Sequence, residues 1–305
     1  MPTDSHHDIL YRELSIVQFK ELTPSPTTLL QEVVNYATNT FVRCLSYAEG
    51  EENIHLAPLA LYRHILELTD GTEVLVSNAA PSASIPLLRS AFEALLALEF
   101  ILEDNTHYEL RSLAWLAGYV RRTIRTYRSL LTKTDEGKEF IIAIKEDKTV
   151  RTFPLPPESE ISKAIQNLDQ LLSREQFCAI VAEFNSYKRD PPWYSLFHGP
   201  ENLRKLASRL RRTAQYDVLY RQWSMSAHAH NFRPFIANAE SGQPAIRGLR
   251  DLAMTHEVTT FAVTFIIDAT RLLINKFHPG EAWGNWYFRE VRDSYTQIAG
   301  AFRQQ

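Results

Sequence analysis

The chain has 305 residues, of which 45% are apolar and 23% charged, and its mean hydropathy is −0.26. That is enough nonpolar side chain to bury a core in one large domain or two smaller ones, which excludes wholesale disorder. A formal charge of −3 and a pI near 6.4 exclude a globally cationic binder of nucleic acid or anionic membrane, so any contact with a polyanion has to come from local basic clusters.

Glycine is scarce, at 10 of 305 residues, and long segments repeat apolar residues at helical spacing, which predicts an all-α, multi-helix bundle. Residues 1–26 read as an N-terminal extension and 27–305 as one large helical domain. A first helix is expected from Thr28, with Gln31 completing a capping box and Leu30, Val34, Ala37, Phe41 and Leu45 on one stripe. Pro58 suits the first turn of a second helix running toward Asn78, with Thr69-Asp70-Gly71 as a possible irregularity. Ser84 is a candidate cap for a third, with Pro86 in its first turn; LLRSAFEALLALEFIL makes it the most apolar early helix and hence central.

A fourth helix, HYELRSLAWLAGYVRRTIRTYRSLL, is amphipathic with a basic outer side. The charge- and proline-rich stretch at 146–160 marks a loop or hinge between an N-terminal subdomain (27–145) and a C-terminal one (161–305). Shorter helices are expected at 158–172 and 174–187, then a proline-bounded aromatic loop, KRDPPWYSLFHGP, and a helix carrying Arg204 and Arg211. NFRPFIANAESGQPAI reads as an extended connection, 245–277 as a long helix and 281–303 as a last, aromatic-rich one. The run FAVTFIIDATRLLI is interrupted by Asp268 and Arg271 and is too short for a bilayer, so it is a core helix.

The two cysteines, Cys44 and Cys178, have no metal-ligand spacing and suit free thiols in a reducing compartment. The first residues lack the cationic start, apolar core and cleavage site of a secretion signal, so the expectation is a cytoplasmic protein. One Glu-x-x-His match, Glu52 to His55, falls short of the two repeats a di-iron bundle needs. No phosphate-binding glycine loop, nucleophile elbow or zincin helix is present in the sequence.

The segment YDVLYRQWSMSAHAHN, Tyr216 to Asn231, concentrates chemistry on a helical pattern. Arg221 and His228 stand seven positions apart, which at about 100° per residue puts them on nearly the same side of a helix and about 10 Å apart along it. Guanidinium forks onto phosphate oxygens and imidazole moves protons near neutral pH, so the pair suits a phosphodiester. The alternative is a carboxylate-paired Arg221 and a satisfied, partly buried His228. Ser224, four residues before His228, either orients the imidazole or is a small packing residue, as is Ser226. His230 points away from His228, and Asn231 ends the helix. Arg89 and Glu93, i,i+4 partners on the most apolar helix, either hold the Arg221–His228 pair in place or bond only to each other.

LLRSAFEALLALEFIL, the Pro-Trp loop with its amphipathic helix, and YDVLYRQWSMSAHAHN together resemble a bacterial all-helical domain-of-unknown-function family over roughly residues 30–275. That family in turn resembles the HEPN superfamily of helical RNA-targeting proteins, whose motif is an arginine, a polar residue and then a histidine. Arg221, Gln222 and His228 fit it at the widest spacing. The resemblance implies a dimeric bundle with metal-independent, cofactor-free endoribonuclease activity, in a toxin–antitoxin or antiphage module with a partner protein.

On that reading His228 is the general acid or base, Arg221 stabilises the phosphorane, and Ser224, Gln222, Arg89 and Glu93 support them. Two antiparallel copies would bring Arg221 of one to His228 of the other. Arg204, Lys205, Arg209, Arg211 and Arg212 are candidate RNA-backbone contacts, as are Arg121, Arg122, Arg125 and Arg128, although such runs are commonly solvated helix faces. Trp193, Tyr194 and Phe197 either stack bases or plug a bundle end. The competing reading, from a different class, is a non-catalytic helical module that binds a protein partner or small ligand.

Overall fold

The computed structural model describes residues 9–14, 25–48, 54–152, 155–223, 236–238, 244–277 and 283–303. In chain order the helices are α1 (Pro26–Ala48), α2 (Leu56–Ser77), α3 (Ile85–Leu102), α4 (Tyr108–Arg128), α5 (Asp135–Glu146), α6 (Glu158–Leu172), α7 (Cys178–Asn185), α8 (Leu203–Arg209) and α9 (Thr213–Gln215). A π-turn, Tyr216–Tyr220, extends α9, and two three-residue strands follow, β1 (Ile236–Asn238) and β2 (Pro244–Ile246). The chain ends in α10 (Thr255–Phe277), α11 (Trp283–Trp286), a second π-turn (Tyr287–Val291) and α12 (Arg292–Arg303). The fold is all-α, and among the described residues no helix is long and apolar enough to cross a membrane.

Two compact units account for the chain: Met1–Asp104 with Leu203–Gln305, and Asn105–Asn202. The loop at 146–160, read from sequence as a hinge, lies inside the second unit, and the chain passes between units at 104–105 and 202–203. In the first unit α1, α2, α3 and α10 pack together, with α12 against α10. Phe92, Leu95, Leu96 and Leu98 of α3 are sealed from solvent, each worth about 1.5–3 kcal/mol of apolar burial. At the centre, the buried Tyr62 hydroxyl donates to the Ala37 carbonyl at 3.1 Å and shares a 2.8 Å bond with Thr270 Oγ1, tying α2 to α1 and α10. Burial pushes this phenol far above its ordinary range. In the second unit α4 packs on α6, on α7 and on the Trp193 loop.

Several element boundaries differ from the sequence reading, each for a local reason. The first helix starts at Pro26, not Thr28, because Ser25 Oγ accepts the Thr28 amide at 3.3 Å and Pro26 fits the first turn. Gln31 instead donates across to Glu73 at 3.0 Å, and Cys44 rather than Leu45 faces the core. Ser84 does not cap α3; its hydroxyl donates to the Pro81 carbonyl at 2.6 Å, closing a 3₁₀ turn. The helix α2 runs unbroken through Gly71, where a Cβ would meet Leu87 Cδ1 at 3.2 Å, so the glycine permits close approach of α3.

α10 begins at Thr255 rather than 245, because Ala245 and Ile246 are taken into an antiparallel pairing with Ile236 and Ala237. The period-2 signal of two three-residue strands is too short to separate from an extended connection by sequence.

Candidate functional site around Arg221

The π-turn fixes the approach to Arg221. It adds one residue to the helical turn, a feature often found beside functional groups, and it brings Tyr216 and Tyr220 into a stack with ring centroids 4.9 Å apart. Tyr220 is clamped from α3: Arg89 Nη2 donates to its hydroxyl at 3.0 Å, and the hydroxyl donates to Glu93 Oε1 at 2.9 Å. Arg89 Nε stands 3.5 Å from Glu93 Oε1, and the Arg89 guanidinium lies 4.8 Å from the Tyr220 ring centroid. Burial raises the Tyr220 pKa, with Glu93 adding to the effect and the bond from Arg89 opposing it. Arg89 and Glu93 are therefore not bonded only to each other; they hold the residue next to Arg221.

Arg221 continues the helix with φ −67° and ψ −41°. Its side chain is exposed, and among the described residues no carboxylate lies within 4.0 Å of it. One turn earlier, Asp217 forms a bidentate pair with Arg204, at 2.9 and 2.7 Å. That bond lowers the Asp217 pKa, with a smaller electrostatic contribution from Arg221. Gln222 is exposed, whereas Trp223 is buried and packs edge-on against Phe261 and Phe265 at 5.5 and 6.2 Å. Trp223 also bonds to Glu257, whose pKa burial raises and this bond partly restores. Ser224, Ser226, His228, His230 and Asn231 lie outside the described residues.

The candidate RNA-backbone residues divide by partner. Arg204 faces Asp217. Arg209 reaches Glu103 at 2.9 Å and lies 5.2 Å from the Phe100 ring centroid. Arg212 is engaged inward: its side chain is 14% exposed, and it bonds to Glu99, to Asp268 at 2.8 Å and to Gln215 at 3.0 Å. Burial opposes its charge, but the two carboxylates hold its pKa above the ordinary value. Lys205 and Arg211 are exposed, with Arg211 at φ 59°. Trp193 is buried and packs closely on Gly118 of α4, where a Cβ would come within 3.1 Å of the Trp193 Cβ. It plugs the second unit. The ring of His55 meets Phe277 edge-on at 5.1 Å, and Glu52 lies outside the described residues.

Residues 55–243 match the model of a family of unknown function (DUF5677), which covers more than half of the chain. The chain belongs to the DUF5677 family. No significant match appears among curated proteins or solved structures. The DUF5677 span takes in α2 through the Arg221 segment and leaves out α1, which packs on α2, and α10, which packs on α2 and α3. Asp217 and Tyr220 escaped the sequence reading, although the aromatic repeat Tyr216/Tyr220 just ahead of Arg221 is the signal that locates them.

Proposed function

We propose that this DUF5677 protein is a HEPN-like RNA-targeting protein and a metal-independent endoribonuclease, built on Arg221 and His228 and acting within a bacterial defence or toxin module. The observation that supports it is the presentation of Arg221. An exposed guanidinium follows a π-turn whose Tyr220 is held by Arg89 and Glu93, so the helix is fixed while the cation stays open to solvent. His228 then follows at the motif spacing in sequence.

In the proposed reaction an imidazole, His228, removes the proton of a ribose 2′-hydroxyl as its oxygen attacks the adjacent phosphorus. Arg221 donates to the non-bridging oxygens as negative charge builds there. The 5′-oxygen leaves with a proton from a second acid, His228 of another copy in a homodimer. The products are a 2′,3′-cyclic phosphate and a 5′-hydroxyl. The test is incubation of the full chain with end-labelled RNA in the presence of EDTA. Cyclic-phosphate ends are expected from the wild type and are lost in Arg221→Ala and in His228→Ala. Intact RNA from folded wild-type protein, together with no growth defect on overexpression, would sink the nuclease reading.

A further inference from the structure

Three arginines of α4 line a cleft that belongs wholly to the second unit. Arg121, Arg125 and Arg128 occur at i, i+4 and i+7 and border an open cavity of about 530 Å3, with Asp169 and Asp190 also on its walls. The pairing is unequal. Asp190 accepts from Arg121 Nε at 3.3 Å, from Arg121 Nη2 at 2.9 Å and from Arg125 Nη2 at 2.7 Å. Arg128 stands 3.7 Å from Asp169, too far for a good hydrogen bond. Three guanidiniums against two carboxylates leave a formal charge of +1 around the cleft.

Exposure separates the three roles. The Arg121 side chain is 22% exposed, lies 5.0 Å from the Phe184 ring centroid and is fixed by Asp190. Arg125 and Arg128 are 67% and 57% exposed, and among the described residues most of their N–H groups have no protein acceptor. Two neighbouring forks three residues apart match the several oxygens of a tetrahedral anion better than the two of a planar carboxylate. Ile124 and Leu172 add apolar wall, and the volume falls in the range of small-ligand sites, about 300–1,000 Å3. Two carboxylates inside the cleft disfavour an extended polyanion running through it.

We propose that this cleft binds a phosphate monoester of mononucleotide size, with Arg125 and Arg128 gripping the phosphate and the half-buried Leu172 facing the nucleoside. The proposal is independent of the Arg221 reading, since it concerns different residues and is read by binding rather than cleavage.

Titration calorimetry of the full chain with AMP, GMP, CMP and UMP tests it, with adenosine and inorganic phosphate as comparisons. At least one monophosphate is expected to bind, more tightly than inorganic phosphate, and adenosine is expected not to. The double variant Arg125→Ala, Arg128→Ala should weaken binding at least about tenfold while keeping the wild-type circular dichroism spectrum. Asp169→Asn, which removes a competing carboxylate, should tighten it by roughly threefold. No binding of any monophosphate at millimolar concentration overturns the proposal. So does a double variant that binds as the wild type does, or an Asp169→Asn chain that binds less tightly. Displacement of AMP by a 5′-hydroxyl RNA of equal affinity assigns the cleft to a nucleic-acid backbone and likewise overturns it.

Discussion

Arg212 and Arg125 are both arginines that face aspartate or glutamate, yet their surroundings assign them opposite work. Around Arg212 two carboxylates meet one guanidinium, with side-chain exposures of 14% for Arg212, 23% for Glu99 and 26% for Asp268. Around Arg125 three guanidiniums share two carboxylates, and Arg125 itself is 67% exposed. Where two acids bond a single inward-facing base and water is largely excluded, the charges are satisfied internally and act as a cross-link between α3 and α10. Where bases outnumber acids in solvent, donors remain for something from outside. The ratio of charges and the dryness of the site, rather than residue type, separate structure from recognition.

Removing each arginine is the most direct way to break that comparison. Arg212→Ala leaves Glu99 and Asp268 facing each other in a half-dry site, and should cost about 3 kcal/mol in urea unfolding. A loss below about 0.5 kcal/mol would show that the knot is as solvent-screened as a surface pair. Tyr62→Phe probes the uncharged counterpart of the same cross-linking. It deletes the hydroxyl shared by Ala37 and Thr270, leaves the Thr270 hydroxyl without that partner, and should cost about 1–2 kcal/mol.

One carboxylate of the Arg212 knot, Glu99, gives a pH signature. Burial raises the Glu99 pKa above 4.5, and Arg212 only partly offsets it. Between the ordinary and the raised value the folded chain therefore holds a proton that the unfolded chain has released. This contribution to stability is present in full below about pH 4.5 and is lost as pH rises through the folded value. Glu99→Gln should flatten the fall in stability over that window, read as unfolding midpoints in a pH series. An unchanged slope would assign the pH dependence to other groups.

Helix periodicity made the fold legible, because α1, α2, α3 and α10 bury nearly continuous apolar stripes. What it could not give were interactions set by three-dimensional proximity. Ser25 and Ser84 are both serines before a helical proline, and only Ser25 accepts a helix amide, since the Ser84 hydroxyl is spent on Pro81. The pairing of Arg89 and Glu93 was readable from their spacing. Their shared partner, Tyr220, lies 127 residues from Glu93 in sequence, a distance across which no local pattern carries information. Arg212 looked from sequence like its neighbours in a basic run; only the arrival of Asp268 from α10 separates it from them.

The smallest expected effect falls on the residue of greatest functional interest. Arg221 is exposed, and among the described residues it has no close ion pair, so Arg221→Ala should change stability by no more than about 0.5 kcal/mol. Its neighbour provides the contrast, because Tyr220→Phe removes the hydroxyl that joins Arg89 to Glu93 and should cost about 1 kcal/mol. A residue kept open by a supported helix yet contributing nothing to folding is under no structural demand to be a cation. A large destabilisation in Arg221→Ala would instead place it with the arginines that carboxylates tie into the fold, such as Arg204, Arg209 and Arg212, and would remove the basis for treating its exposure as a site.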